Sequence, residues 1–436
     1  MNRRDFSKLA ASAAVISPVT LQADSNKPHL LSAVGCGRAT GYAETNKIIT
    51  IGERTHVAWL DSPQEGFRVR MATLDRSTGK WSPTRTIGGA YDNHGGPALT
   101  RDSKGHLHIV YFTHHHPFRY RRSKRPNDAS EWEEEIQFGD KLTYPTLICG
   151  ADDTLYLTAR RSDKKNPWWV EMWEKKPGQD WSKVGPVMFS RHKGYAHFQE
   201  SLCWGPDHKT LHLCCRFHEL TTSMEDYGRL QTVAYMKSDD FCRTWKRSDG
   251  STIKGPITVD NAEVIAKGGR AFKQTLRAGC LAVGPKNKPF LVYSVTAKNQ
   301  SRTFLATMNS RGGWDRENLN DHLPAKWKSF NLVMAGGLAF DSRNVLHGVA
   351  QLQTGPQNHK IWGDPTNEII AFEKHAGAVK FRAVSTFDDQ TSHWLPSIER
   401  PTGHNLIKGR PGIIYTGGPA GNKNTELLSN RVYWGG

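Results

Sequence analysis

The sequence predicts an all-β fold, read as a seven-bladed β-propeller, from three observations. Short apolar runs alternate with Gly, Asp, Asn and Pro turns along the whole chain; a turn-plus-strand unit returns seven times; and a tryptophan marker keeps step with it. Helical periodicity is hard to find after the first two dozen residues.

The first 23 residues stand apart. Asn2, Arg3, Arg4, Asp5, Phe6, Ser7 and Lys8 precede a mildly apolar run from Leu9 to Leu21 and a cleavage point after Ala23. Paired arginines, a short greasy middle and a small-residue exit read as a twin-arginine export leader. The apolar run is too short to span a bilayer, and no membrane insertion is expected once the leader is gone. The expectation is therefore a periplasmic or secreted protein with one domain from residue 24 to residue 436.

The repeating unit begins with Glu53-Arg54-Thr55-His56-Val57-Ala58-Trp59 and returns at 102–111, 152–157, 208–213, 286–293, 341–347 and 409–415. Each copy is a polar turn followed by an apolar strand. The tryptophans Trp81, Trp132, Trp181, Trp245 and Trp314 come late in their units. One copy, Ser238 to Trp245, looks like an Asp-box with Cys242 in place of the usual glycine. Seven units over the mature chain allow about sixty residues each, enough for a four-stranded blade with its loops.

Composition narrows the partners. Removing Arg3, Arg4 and Lys8 against Asp5 lowers the formal charge from +17 to +15, so the mature chain stays strongly basic. Such a charge favours an anionic ligand, and export favours an acidic polysaccharide over nucleic acid. The seven cysteines, Cys36, Cys149, Cys203, Cys214, Cys215, Cys242 and Cys280, are odd in number and scattered, which predicts buried free thiols rather than a disulfide framework. A monomer is expected.

Three segments carry candidate chemistry. Tyr91-Asp92-Asn93-His94-Gly95-Gly96-Pro97 puts His94 at a strand mouth. Phe112-Thr113-His114-His115-His116-Pro117-Phe118-Arg119-Tyr120-Arg121-Arg122 leaves the next strand; strand alternation keeps the three histidines from all facing one way, and His115 is the choice. Its basic run, Arg119 and Arg121 included, suits sulfate or carboxylate groups or a solvated face. The third segment pairs Tyr195-Ala196-His197 with the strand Leu211 to His218, where alternation sets His212, Cys214, Arg216 and His218 on one face. Arg216 there needs an anionic partner, either a substrate or a fixed carboxylate. His212, Cys214 and His218 are a candidate metal set; the metal question is otherwise open, and the chemistry calls for no cofactor.

Histidine, tyrosine and arginine without an evident pair of carboxylates do not suit ordinary glycoside hydrolysis. They suit β-elimination on a uronic acid, in which Arg216 neutralises the carboxylate and a His or Tyr removes the C5 proton. A sialidase-like hydrolase, suggested by the Asp-box, and a non-catalytic glycan-binding propeller remain alternatives.

The segments Asp92 to Leu99, His115 to Tyr120, Thr143-Tyr144-Pro145 and Trp394 to Arg400 together resemble the BNR-4 repeat family, which includes seven-bladed propeller ulvan lyases acting on a sulfated, uronate-containing algal polysaccharide. The resemblance implies an active site of two histidines, a tyrosine and an arginine. It maps these onto His94, His115, Tyr195 and Arg216, with Arg160 and Arg161 as rivals for the arginine. Tyr144, Arg160 and His197 join Arg119 and Arg121 as candidate substrate contacts.

Overall fold

Every one of the seven turn markers stands at the head of a strand: Arg54–Asp61, Leu107–Tyr111, Leu155–Arg161, Leu211–Glu219, Lys288–Ala297, Leu346–Gln353 and Ile413–Pro419. The turns form for local reasons. Asp207 Oδ1 accepts from the amides of Lys209 and Thr210, both at 3.0 Å, and Asp341 Oδ1 accepts from those of Arg343 and Val345 at 2.9 and 3.0 Å. A short carboxylate satisfying backbone donors two to four residues on is what makes Asp a turn former.

The computed structural model describes residues 28–220, 230–298, 300–356, 362–387, 390–423 and 428–436. The export leader read in residues 1–23 lies outside the described residues. Within them the protein is all-β apart from four short 3-10 turns, and no helix is long and apolar enough to cross a membrane.

Each of the seven strands is the second of an antiparallel group of four. Its hairpin partner before it is Ile48–Ile51, Ala98–Arg101, the end of Ile136–Cys149, Ser201–Trp204, Gln274–Gly284, Asn331–Phe340 or Thr391–Ile398. The third strands run from Arg68–Asp75 through to Asn430–Trp434. A fourth strand follows in sequence in every group except the last, whose outer place is taken by the first described strand, His29–Gly35, paired with Asn430–Trp434. The tryptophan markers fall in the connections from third to fourth strand or at the fourth strand's start.

The up-and-down order within a group decides where chemistry can sit. First-to-second hairpins and third-to-fourth turns lie at one end of each group, and second-to-third turns and the links between groups at the other. The strand Leu211–Glu219 is buried along its whole length: Leu211, Leu213, Cys215 and Phe217 pack into one core and Cys214 into another, as alternation requires of a strand covered on both sides. All seven cysteines are buried and free, although Cys36 and Cys242 lie outside the strands. The Asp-box forms as read. Asp240 accepts from the Arg243 and Thr244 amides at 3.1 and 2.8 Å, and Cys242 occupies the glycine's place at φ 70°.

Candidate active site

Asp92 organises one half of the site. It sits in the link that leads into the strand Ala98–Arg101, and its carboxylate takes Nδ1 of His94 at 3.1 Å and Nδ1 of His114 at 2.6 Å. The two imidazoles stack with centroids 4.1 Å apart, and His115 follows at 4.3 Å from His114. Strict alternation would have sent His114 and His116 one way and His115 the other. His115 has φ 57°, and this left-handed residue turns both His114 and His115 toward the site while His116 packs against Tyr91 and Phe112.

His115 is held by its own contacts. Its amide donates to Thr143 Oγ1 at 3.1 Å, and Nδ1 lies 2.7 Å from the Ser162 hydroxyl. Burial, and then the charge of Arg160, lower its pKa to about 4. His94 is also lowered to about 4, by burial and by Arg38, against the opposing pull of Asp92. Burial disfavours the Asp92 carboxylate, yet the bonds from His114 and His94 override it and hold the group far below the usual carboxylate range. Asp92 is therefore the charged member, and His94 is a neutral imidazole that gives its Nδ1–H to Asp92 and keeps Nε2 as a base or acceptor.

The other half is built from tyrosines and arginines. Tyr144 has φ 59° at a register shift in the strand Ile136–Cys149, a bulge that re-aims its ring. The ring lies 4.5 Å from His197, 5.3 Å from Tyr42 and 6.3 Å from His94. Burial raises its pKa well above the ordinary tyrosine value, so it serves as a hydroxyl. Arg160, at the end of the strand Leu155–Arg161, places its guanidinium 4.7 Å from the Tyr144 ring, 4.8 Å from Trp168 and 5.5 Å from Tyr195, and donates to the Ala196 carbonyl at 3.3 Å. Tyr195 is half-buried, 5.2 Å from Trp168 and 6.0 Å from His218.

Arg216 lies deeper. Fully buried, it donates to the Leu276 carbonyl at 2.8 Å and to His197 Nδ1 at 3.2 Å. Burial and the neighbouring Arg216 push the His197 pKa well below its ordinary value. Beneath this floor are two fully buried carboxyls, Glu44 and Glu200, whose four oxygens have no side-chain hydrogen-bond partner among the described residues. Burial, reinforced by Glu44, raises Glu200 to about 8, and burial raises Glu44 in turn.

His94, His115, Tyr195 and Arg216 thus lie on one face, joined by a chain of ring and guanidinium contacts that also takes in Tyr144, Arg160 and His197. Asp92, His114, Tyr42 and Trp168 are members that the residue pattern did not single out. The Asp-x-His spacing was the available sign for Asp92. Arg119 and Arg121 stand outside the cluster: Arg119 pairs with Glu135 at 3.5 Å and covers Phe112 at 3.9 Å, and Arg121 donates to the Tyr111 hydroxyl at 3.0 Å. His212 is bonded to the Tyr235 hydroxyl at 2.7 Å and His218 to Gln231 at 3.2 Å. Among the described residues, the groups with ligand atoms close enough to hold a metal are Asp92, His94 and His114 in the site and Cys149, Asp153 and His404 on the opposite face.

Comparison with known proteins adds a lineage to this geometry. The chain is 27% identical over 164 residues to "Ulvan Lyase-PL25" of Pseudoalteromonas sp. (strain PLSV), covering 32% of each chain. It is 25% identical over 245 residues to an ulvan lyase of Alteromonas sp. (strain LOR), covering 48% of this chain and 49% of that one. The matched segments thus span between about a third and a half of those relatives' length. In fold, the chain superposes on the structure of a polysaccharide lyase PL25 ulvan lyase bound to -[GlcA(1-4)Rha3S]- with a TM-score of 0.69 at 15% identity, covering 94% of this chain and 96% of that one. The sequence profile of a BNR repeat-containing family matches residues 54–322, more than half of the chain, and the protein belongs to that family.

Proposed function

We propose that this protein is a polysaccharide lyase that cleaves an acidic, sulfated, uronate-containing glycan of the ulvan type by β-elimination. The observation that carries the reading is the convergence of neutral histidines, tyrosine hydroxyls and two buried guanidiniums on one face, with Asp92 the carboxylate bonded to the site histidines. Its relatives' names and the glycan bound to the similar structure point to the same substrate class.

The chemistry follows from the polarity of the groups. A uronate C5–H becomes acidic only when the adjacent carboxylate is neutralised, and Arg216 with the neutral His197 beside it supplies positive charge and a donor for that purpose. His94, whose Nδ1–H is held by Asp92, takes the C5 proton on Nε2. The electron pair forms the C4–C5 double bond, the C4–O bond breaks, and the leaving oxygen takes the Tyr195 hydroxyl proton, the phenolate being held beside the Arg160 guanidinium until solvent exchange resets both groups. No cofactor takes part in these steps.

In this reading the seven four-stranded groups are the blades of one closed propeller and the site is the mouth of its axis. The chain from residue 24 acts as a single monomeric domain, delivered outside the cytoplasm by the leader in residues 1–23. Incubation with ulvan tests the activity: the ultraviolet absorbance of an unsaturated uronate should rise, and His94→Ala and Tyr195→Phe should each lower the rate by roughly 100-fold or more. New reducing ends without unsaturation would instead make the protein a hydrolase. Retention of the glycan with no product would make it a binding module.

A further inference from the structure

The three-histidine run does more than complete the active site. By turning His114 and His115 inward, the left-handed His115 sends His116 outward, where its ring lies 4.5 Å from Tyr91 and 5.5 Å from Phe112. Phe112 in turn carries the Arg119 guanidinium at 3.9 Å. A row of π faces therefore runs from the site's edge to a cation, with Tyr91 adjacent in sequence to the Asp92 that holds His94 and His114.

Two features of this row call for a ligand. Tyr91 is 62% exposed, so one face of its ring stands open to solvent beside the site. Among the described residues, the Arg119 side chain has a single long ion pair, Nε to Glu135 at 3.5 Å, and no hydrogen bond. Glu135 is shared, since it also accepts from Tyr111 at 2.6 Å and from Gln137 at 3.3 Å. With Arg121 bonded to that same Tyr111 hydroxyl, two guanidiniums face one carboxylate and the corner keeps a net positive charge.

We propose that Tyr91, His116, Phe112 and Arg119 form an outer glycan subsite, in which the Tyr91 face stacks against the C–H face of a sugar ring and Arg119 binds a sulfate of the same glycan chain. The proposal rests on the reading of the substrate as a sulfated polysaccharide. An exposed tyrosine offers a flat apolar face at little entropy cost, and a guanidinium matches the geometry of a sulfate or carboxylate with paired donors.

The test compares Tyr91→Ala, Arg119→Met and Arg119→Lys with the parent on ulvan and on chemically desulfated ulvan. On ulvan, Tyr91→Ala and Arg119→Met should each raise KM by roughly tenfold, the scale of one stacking or charge-assisted contact, with kcat within about twofold of the parent. On desulfated ulvan the Arg119→Met effect should vanish and the Tyr91→Ala effect should persist. Arg119→Lys should fall between parent and Met, which separates loss of the bidentate fork from loss of the Phe112 contact. Unchanged KM in both Tyr91→Ala and Arg119→Met, or a fall in kcat at constant KM, would overturn the subsite. If the parent releases no product from ulvan, the reading of the reaction fails. The subsite is then decided by affinity electrophoresis in ulvan gels, where the parent's retardation must exceed that of Tyr91→Ala for the proposal to stand.

Discussion

Arg216 donates to Nδ1 of His197 at 3.2 Å, and a guanidinium has no acceptor to offer in return. The imidazole proton is therefore on Nε2, and His197 is a fixed neutral donor rather than a switchable base. Arg216→Lys keeps a positive charge but cannot serve the Leu276 carbonyl and His197 from one planar fork. We expect it to lower kcat/KM on a uronate polymer by roughly 100-fold, comparable to losing an oxyanion donor. Nitrogen NMR of labelled histidine should report the Nε2–H form of His197 across the neutral range in the parent.

The Asp92 carboxylate receives two imidazoles, so Asp92→Asn should disturb both at once. The amide side chain can present its NH2 to one Nδ1, which favours the wrong tautomer. The expected result is a fall in kcat/KM of roughly 100-fold or more with KM little changed, measured by initial rates of unsaturated product.

Glu200 gives the protein a pH signature in stability. Its acid form is favoured in the folded state, where the pKa is raised to about 8, over an ordinary value near ~4.3 in the unfolded chain. Between those values the folded protein binds more protons than the unfolded one, so this stabilisation is complete at low pH and is lost as pH rises toward 8. Thermal melts should show Glu200→Gln flattening the decline between about pH 5 and 8 relative to the parent. A parent whose melting temperature rises across that interval, with no flattening in the variant, would contradict the assignment.

The cysteines make a simpler prediction. All seven are buried without disulfides, and burial pushes the thiols of Cys36 and Cys203 up to about 12. The folded protein should therefore resist a thiol-specific dye at neutral pH and release its full complement only on denaturation, and a reductant should not shift its melting temperature.

The repeat was legible because its signal is local. Asp102, Asp207 and Asp341 each announce a hairpin by chemistry that needs only the next few residues, so the strand heads could be counted without tertiary information. His94 and His115 were legible for a related reason, standing at strand mouths. His114 was not, because alternation predicts its direction only while the backbone stays extended, and the positive φ at His115 breaks that rule. The rank of Arg160 against Arg216 depends on burial and on which ring each guanidinium covers, which are properties of the assembled groups. Arg119 and Arg121 follow the same logic: their partners Glu135 and Tyr111 lie outside their own strand.

The strand His29–Gly35 pairs with Asn430–Trp434, placing His29 opposite Trp434. The first described strand thus waits for the last before either is complete, and folding cannot finish strand by strand in the order of synthesis. In the closed propeller proposed above, the seam also makes the order of the groups a convention of where the backbone is cut. Joining the two ends through a short linker and reopening the chain in an exposed hairpin should move that seam around the molecule while leaving every other pairing, and the site, in place.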